Sequence, residues 1–176
     1  VTAPLDTYDS MLAAAAAATA AAPSDGAALV GAHLEGPFLG GAPGAHDSTL
    51  VRAVDVEWLL GLLSRHPGLV RVVTLAPEAD PGCHATSALA DRDIVVALGH
   101  TTASFDDALA AADAGATVVT HLFNGMGPLH HRDPGVAGAA LTDDRLTPTM
   151  IADLVHVHPA ALALAFAATT VATVSD

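Results

Sequence analysis

Five short apolar runs in this chain each end on a residue that can bind a metal or move a proton. The carboxyl ends of parallel strands lie on one side of a sheet, so residues just past each strand are expected to form one shared cluster. One glutamate, several histidines and an aspartate gathered there would suit a hydrolytic metal site. In chain order these residues are Glu35, His100, His121, His156 and Asp176.

Three of them, Glu35, His100 and His121, are the predicted metal ligands. A carboxylate and two imidazoles leave a fourth position on Zn²⁺ for water, which is the open arrangement of a catalytic site, whereas structural zinc sites usually use Cys. Each residue alone has an ordinary explanation, such as a hydrogen-bonded histidine at a strand end, and it is their recurrence that favours a metal. Asp176, at the end of the last predicted strand, is placed to take a proton from the activated water and return it to a leaving group.

The apolar runs alternate with helical segments along the whole chain. Ser104 followed by Asp107 resembles a capping box, and Gly115 stands where a left-handed helix end is expected. Helices are predicted at residues 6–22 with Asp6 or Thr7 as cap, at 55–64, from 104 onward, and at 159–168; strands are predicted at 28–33, 70–75, 94–98, 117–121, 149–152 and 171–174.

Continuous apolar runs separated by helices indicate a parallel sheet covered on both faces, in an open doubly wound sheet or a (β/α)8 barrel. An open sheet usually carries a glycine-rich phosphate loop in its first turn, but that turn here reads HLEGPF. Polar residues instead follow nearly every strand, which favours a barrel. A complete barrel needs about 250 residues. We therefore expect residues 1–176 to form one α/β domain, an incomplete TIM-type barrel with about six of its eight strands.

Composition narrows the classes of partner. Six basic residues against 19 acidic ones give a formal charge of −13, which argues against nucleic acid, because binding to it needs basic patches. No apolar stretch reaches the roughly 18 to 20 residues of a membrane helix, and the first residues lack the basic region of a secretory signal. The lone Cys83 fits a reducing compartment. We expect a cytoplasmic protein without nucleic-acid or membrane partners.

Seven motifs occur in the order found in the N-acetylglucosamine-6-phosphate deacetylase family of the amidohydrolase superfamily, which the chain resembles from about residue 28 onward. Long motifs such as THLFNGM followed by HRDPG are highly specific. The motifs are HLEGPF (33–38), GAH (44–46), TLAPE (74–78), GHTTAS (99–104), THLFNGM (120–126), HRDPG (131–135) and IADLVHVHP (151–159).

The resemblance implies a role for each matching residue. Glu35, His100 and His121 correspond to the metal ligands, and Asp176 to the catalytic acid and base. His46 resembles the residue that contacts and polarises the substrate amide carbonyl. Asn124 and Gly125 resemble the pair whose amides contact the sugar phosphate. Arg132 resembles a further phosphate contact, which a neighbouring subunit delivers. His156 resembles a residue that contacts a sugar hydroxyl or the acyl group.

The activity implied by the resemblance is hydrolysis of the acetamide of N-acetyl-D-glucosamine 6-phosphate to D-glucosamine 6-phosphate and acetate. The family also implies a homodimer of full-length chains and a small β-sandwich domain, which we expect to lie outside these 176 residues. Leu154 occupies a position that is commonly glycine, and Glu78 is expected to close a polar network beneath the site. Two alternatives stay open: an amidohydrolase acting on a different amide, and a metal-binding barrel fragment without activity.

Overall fold

Six parallel strands form one sheet, in which each strand pairs with the next one along the chain. The computed structural model describes residues 2–21 and 25–175. A doubly wound sheet would reverse its strand order at a switch point, whereas this sequential order is that of a barrel wall. The strands are β1 (Ala32–Glu35), β2 (Val70–Leu75), β3 (Val95–Leu98), β4 (Ala116–Val119), β5 (Thr147–Ile151) and β6 (Ala172–Val174).

Helices connect the strands, as parallel crossovers require. In the part of the chain that the structure describes, no helix is long and apolar enough to cross a bilayer. The helices are α1 (Tyr8–Ala20), α2 (Val56–Arg65), α3 (His84–Ala90), α4 (Phe105–Asp113), α5 (Gly135–Thr142) and α6 (Pro159–Ala168), with short 3₁₀ turns at Leu5–Thr7 and Pro77–Ala79.

The predicted capping box of α4 is present. The Ser104 hydroxyl accepts from the Asp107 N–H at 3.1 Å, and the Asp107 carboxylate accepts from the Ser104 N–H at 3.1 Å. Of the two predicted caps of α1, Thr7 stands at the N-cap position, because the helix begins at Tyr8; its hydroxyl makes no capping hydrogen bond and donates to the Pro4 carbonyl instead.

Two helices were missed from the sequence. Nearly all of α5 is buried from Gly135 to Ala140, so its small residues face protein on every side and show no amphipathic period. Helix α3 has only seven residues, HATSALA, which is too short for a period of 3.6 to stand out.

The first strand begins later than predicted. Leu29 and Val30 are 49% and 81% exposed, and pairing with β2 begins only where the Ala32 N–H donates to the Leu69 carbonyl at 2.8 Å. Glu35 is consequently the last residue of β1 rather than a residue beyond it.

The core lies between the sheet and the helices, with Leu75, Leu98, Val119 and Met150 fully buried on the strands. On the outer side, Trp58 of α2 makes edge-on ring contacts with Tyr8 at 5.4 Å and Phe38 at 5.8 Å between centroids. Aromatic pairs of this geometry contribute about 0.5 to 1.5 kcal/mol each beyond their buried area. These contacts hold α1 and the loop after β1 against α2. The same loop continues to His46.

Candidate metal site and the loops that form it

Three strand ends bring Glu35, His100 and His121 together, as the sequence predicted. Glu35 ends β1, while His100 and His121 each stand two residues past the ends of β3 and β4. The two Nε2 atoms lie 3.0 Å apart. The Glu35 Oε1 atom is 3.1 Å from the His100 Nε2 and 3.3 Å from the His121 Nε2.

The hydrogen bonds on the far side of each ring determine what these converging atoms can do. The His100 Nδ1 lies 3.3 Å from the Ala42 carbonyl, and the His121 Nδ1 lies 3.1 Å from the Asn124 carbonyl. A carbonyl can only accept, so each Nδ1 carries the proton and each Nε2 of a neutral ring has a bare lone pair. Two lone pairs and a carboxylate oxygen facing one point require a positive charge among them, and a divalent cation fits that donor set.

The electrostatics of Glu35 agree with this assignment. Without a cation, a proton must stand between these atoms, and hydrogen bonds from His100 and His121 then hold the pKa of the Glu35 carboxyl well below its usual range, outweighing the opposing effect of burial. The glutamate is therefore ionised at neutral pH and available as an anionic ligand.

Both histidines of the candidate site adopt a backbone conformation that residues other than glycine usually avoid. Their φ angles are +50° for His100 and +31° for His121, in the region that costs a non-glycine residue roughly 1 to 2 kcal/mol. Such strain collects at functional sites, where the surroundings hold the residue in place. Neither angle is signalled by the residue types in the sequence.

His46 completes one wall of the cluster. Its ring packs edge-on against the ring of His100 with centroids 4.4 Å apart, and its Nε2 lies 3.5 Å from the Glu35 Oε2. On the other side, the Nδ1 of His46 lies 2.8 Å from the Thr2 hydroxyl oxygen and accepts from the Thr2 N–H at 3.4 Å. That arrangement leaves the proton on Nε2, which can donate to a ligand. Burial lowers the pKa of His46, and the nearby His100 lowers it further, so a neutral ring is favoured.

A cavity of about 460 Å³ opens in front of these side chains. That volume lies within the range of small-molecule sites. Thr2, which no motif singled out, is buried and lines the cavity beside the four predicted residues. The full lining consists of Thr2, Glu35, Ala45, His46, Asp47, His100 and His121.

Comparisons with known proteins give one consistent result, although no family model matches the chain. The N-acetylglucosamine-6-phosphate deacetylase of Bacillus subtilis is 46% identical over 146 residues, which are 81% of this chain and 36% of that protein. The N-acetylgalactosamine-6-phosphate deacetylase of Escherichia coli O157:H7 is 44% identical over 140 residues, 79% of this chain and 37% of that protein.

Solved structures agree in fold. The crystal structure of the N-acetyl-D-glucosamine-6-phosphate deacetylase from Mycobacterium smegmatis superposes with a TM-score of 0.91 at 38% identity, over all of this chain and 46% of that one. The chain is a relative of the N-acetylglucosamine-6-phosphate deacetylases. A mutant of the Mycobacterium smegmatis deacetylase, in complex with N-acetyl-D-glucosamine-6-phosphate, matches 98% of this chain and 45% of its own length with a TM-score of 0.87. These matches confirm the predicted partial barrel, and the chain spans between about 36% and 46% of the length of these deacetylases.

Asn124 and Gly125, which the resemblance assigns to the sugar phosphate, lie in the loop after β4, next to the rings of His100 and His121. The Asn124 carbonyl accepts from His121, and the Gly125 carbonyl accepts from the Thr101 N–H at 3.0 Å. Gly125 has a φ of +56°, and a Cβ built on it would come within 2.9 Å of the His100 Nδ1. The loop therefore supports the rings of both histidines on the side away from Glu35.

The other predicted contacts do not line this cavity. Arg132 is exposed in the loop before α5, where its N–H donates to His130 at 3.3 Å. His156 is exposed as well, and its Nδ1 lies 2.8 Å from the Asp153 carboxylate. Hydrogen bonds from the His156 backbone and ring lower the pKa of Asp153 to about 2. Asp176, the predicted acid and base, lies outside the described residues.

Proposed function

We propose that this chain forms the metal-binding part of a deacetylase that hydrolyses the acetamide of N-acetyl-D-glucosamine 6-phosphate. The products are D-glucosamine 6-phosphate and acetate. One observation carries the proposal: in a barrel related to the deacetylases, Glu35, His100 and His121 turn three acceptor atoms toward one point, next to a histidine that can donate a hydrogen bond.

The chemistry divides between the ion and the residues of the chain. A divalent cation, zinc as first choice, held by Glu35, His100 and His121 would act as a Lewis acid and lower the pKa of a water molecule. The Nε2–H of His46 donates to the oxygen of the acetamide carbonyl and stabilises the charge that develops there. Asp176 takes a proton from the attacking water and gives one to the amine nitrogen as the carbon–nitrogen bond breaks.

The charge of the chain supports a role for Arg132 in holding the phosphate. All six basic residues are arginines, and two of these, Arg65 and Arg145, are held in ion pairs with aspartates. Within the described residues no ion pair of Arg132 occurs, so its planar donor fork is available for a phosphate. We place Arg132 across the interface of a homodimer, where it would join Asn124 and Gly125 of the neighbouring subunit.

Two further assignments belong to the same proposal. His156, paired with Asp153, contacts a sugar hydroxyl or the acyl group. The reaction takes place in the cytoplasm, with which the single cysteine, Cys83, is compatible.

The galactose epimer is a second candidate substrate. The relatives that act on the two sugars are 46% and 44% identical to this chain over similar lengths, so identity alone does not choose between them. Both sugars present the same acetamide and phosphate to the residues named above.

The test is acetate release by the whole protein from four compounds: the two 6-phosphates and their unphosphorylated counterparts. We expect fast turnover of N-acetylglucosamine 6-phosphate, loss of activity with a chelator and recovery with added zinc. Faster turnover of the galactose epimer would change the substrate. Full activity after metal removal, or equal turnover with and without phosphate, would contradict the proposal.

A further inference from the structure

Glu78 holds together two loops of the candidate site without touching any of the proposed ligands. It lies in the 3₁₀ turn Pro77–Ala79, just past β2. Its Oε1 accepts from the Gly41 N–H at 3.0 Å and from the Thr102 N–H at 2.7 Å. Its Oε2 accepts from the Thr101 hydroxyl. Although the residue is accessible to solvent, both carboxylate oxygens are engaged.

The first of these loops, after β1, sets the orientation of His100. The Gly40 N–H donates to the His100 carbonyl at 2.8 Å, and the Ala42 carbonyl accepts from the His100 Nδ1. His46, four residues further on, packs against the same ring. A shift of this loop would remove the acceptor that places the His100 proton on Nδ1 and its lone pair toward the cation.

The second segment, after β3, carries His100 itself and continues to the phosphate loop. Thr101 follows His100, is fully buried, and donates its N–H to the Gly125 carbonyl at 3.0 Å. Its hydroxyl donates to Glu78 and accepts from the Ala103 N–H at 2.9 Å. Through Thr101, the carboxylate is linked to the loop that supports both rings.

Two glycines show how closely the first loop lies against Glu78. A Cβ on Gly40 would come within 1.9 Å of the Glu78 Oε1, and a Cβ on Gly41 would come within 2.4 Å of the Thr102 hydroxyl oxygen. Real Cβ atoms essentially never make contacts this short, so an alanine at Gly40 or Gly41 would displace the side chain of Glu78 or Thr102. The close contact between the two loops thus depends on the glycines of the first loop as well as on Glu78.

The site needs an ionised carboxylate at this position. Burial acts to raise the pKa of Glu78, but hydrogen bonds from Thr101, Thr102 and Gly41 together lower it. All three partners are donors, and an ionised carboxylate offers only acceptors. A glutamine could satisfy the two N–H groups with its oxygen, but its amide nitrogen would then face the Thr101 hydroxyl. The hydrogen of that buried hydroxyl would lose Glu78 as its acceptor.

We infer that Glu78 is a positioning residue of the metal site, where its carboxylate clamps the loop bearing Ala42 and His46 onto the segment bearing His100. This inference rests on the proposed function for the identity of the cation. Removing partners that orient metal-ligating histidines typically costs 10- to 100-fold in metal affinity or activity, and Glu78 acts one step behind such a partner, the Ala42 carbonyl.

The test compares three variants of the whole protein: Glu78→Leu, which removes every acceptor, Glu78→Gln, which keeps one, and Glu57→Leu as the matched control. Glu57 lies in the first turn of α2 and is exposed. The measurements are the zinc dissociation constant by competition with a chelating dye, the melting temperature of the metal-free protein, and kcat. We expect zinc affinity to fall about 10- to 100-fold in Glu78→Leu and by a smaller factor in Glu78→Gln, with Glu57→Leu unchanged.

Zinc affinity separates positioning from general stability, because it is measured on folded protein below its melting temperature. Wild-type zinc affinity in a folded Glu78→Leu variant would overturn the inference. If that variant does not fold, Glu78→Gln decides, and wild-type affinity together with wild-type kcat would overturn it equally. Failure of the proposed function is distinguished by the wild-type protein, which would then bind zinc without releasing acetate.

Discussion

Replacing Gly125 with alanine should weaken the candidate metal site while leaving all three proposed ligands unchanged in sequence. The added methyl would lie 2.9 Å from the His100 Nδ1, 3.2 Å from the His100 Cε1 and 3.4 Å from the His121 Cε1. Ordinary contacts between such atoms are about 3.5 to 4.0 Å, so the His100 ring must retreat by roughly 0.5 Å. Metal–ligand distances tolerate only about 0.2 Å. We expect zinc affinity and kcat each to fall about 10- to 100-fold.

The positive φ angle of Gly125 adds a separate cost in unfolding free energy. Two other glycines of the chain serve as controls for that cost. Gly125 has a φ of +56°, which costs an alanine roughly 1 to 2 kcal/mol. Gly44 has a φ of +60°, but a Cβ there would lie 3.5 Å from the His100 ring, at an ordinary contact distance. Gly127 has open space around it. Gly44→Ala should therefore show backbone strain alone, and Gly127→Ala neither effect.

The assay measures zinc affinity by chelator competition and stability by chemical unfolding for all three variants. Gly125→Ala and Gly44→Ala should lose similar unfolding free energy, about 1 to 2 kcal/mol, but only Gly125→Ala should lose zinc affinity. Wild-type zinc binding in Gly125→Ala, or an equal loss in Gly44→Ala, would refute the claim that the loop supports the rings by contact.

Four further predictions address the other assignments. His121→Ala should remove zinc and activity together, because two ligands hold the ion poorly; stoichiometric zinc by metal analysis would contradict the ligand assignment. Arg132→Ala should raise KM for the phosphorylated sugar by a factor corresponding to about 1.5 to 3 kcal/mol, and an equal loss on unphosphorylated sugar would make Arg132 structural. Asp176→Asn should lower kcat by roughly two orders of magnitude with zinc content near normal; full activity would exclude it as the base. Leu154→Gly should raise the unfolding free energy by about 0.5 to 1 kcal/mol, since Leu154 has a φ of +65° and is 63% exposed; unchanged stability in urea would count against that strain.

The barrel was predictable because its four central strands, β2 to β5, are largely buried, whereas β6 is exposed. Continuous apolar runs at β2 to β5 are required in such a sheet, and residues of these four strands are among the most buried in the chain. At β1 the same reasoning failed, because Leu29 and Val30 are apolar but exposed, and apolarity alone does not say where pairing starts. The position of Glu35 at the end of β1 depends on that register with β2.

The convergence of the three proposed ligands was predictable, whereas the residues that support them were not. Glu35, His100 and His121 can be found because each follows an apolar run and because two histidines with a carboxylate are a recognised ligand set. Thr2, which contacts His46 across 44 positions of sequence, carries no signal in its neighbours. Supports of this kind depend on loop conformation, and loop conformation depends on tertiary contacts.

Local sequence preference fails most clearly at the candidate site itself. His100, His121 and Phe123 all have positive φ angles, which are uncommon for any residue other than glycine, although histidine adopts them more often than phenylalanine does. The Thr101 N–H and the Leu122 N–H are both donated across to neighbouring segments, to Gly125 and to the Thr149 carbonyl, so tertiary hydrogen bonds hold what the local sequence would not. Residues that break local rules are expected where function opposes folding. Here the cost falls on the turns that direct both imidazoles at Glu35, and a bound cation would offset it, because binding to the folded state alone stabilises that state.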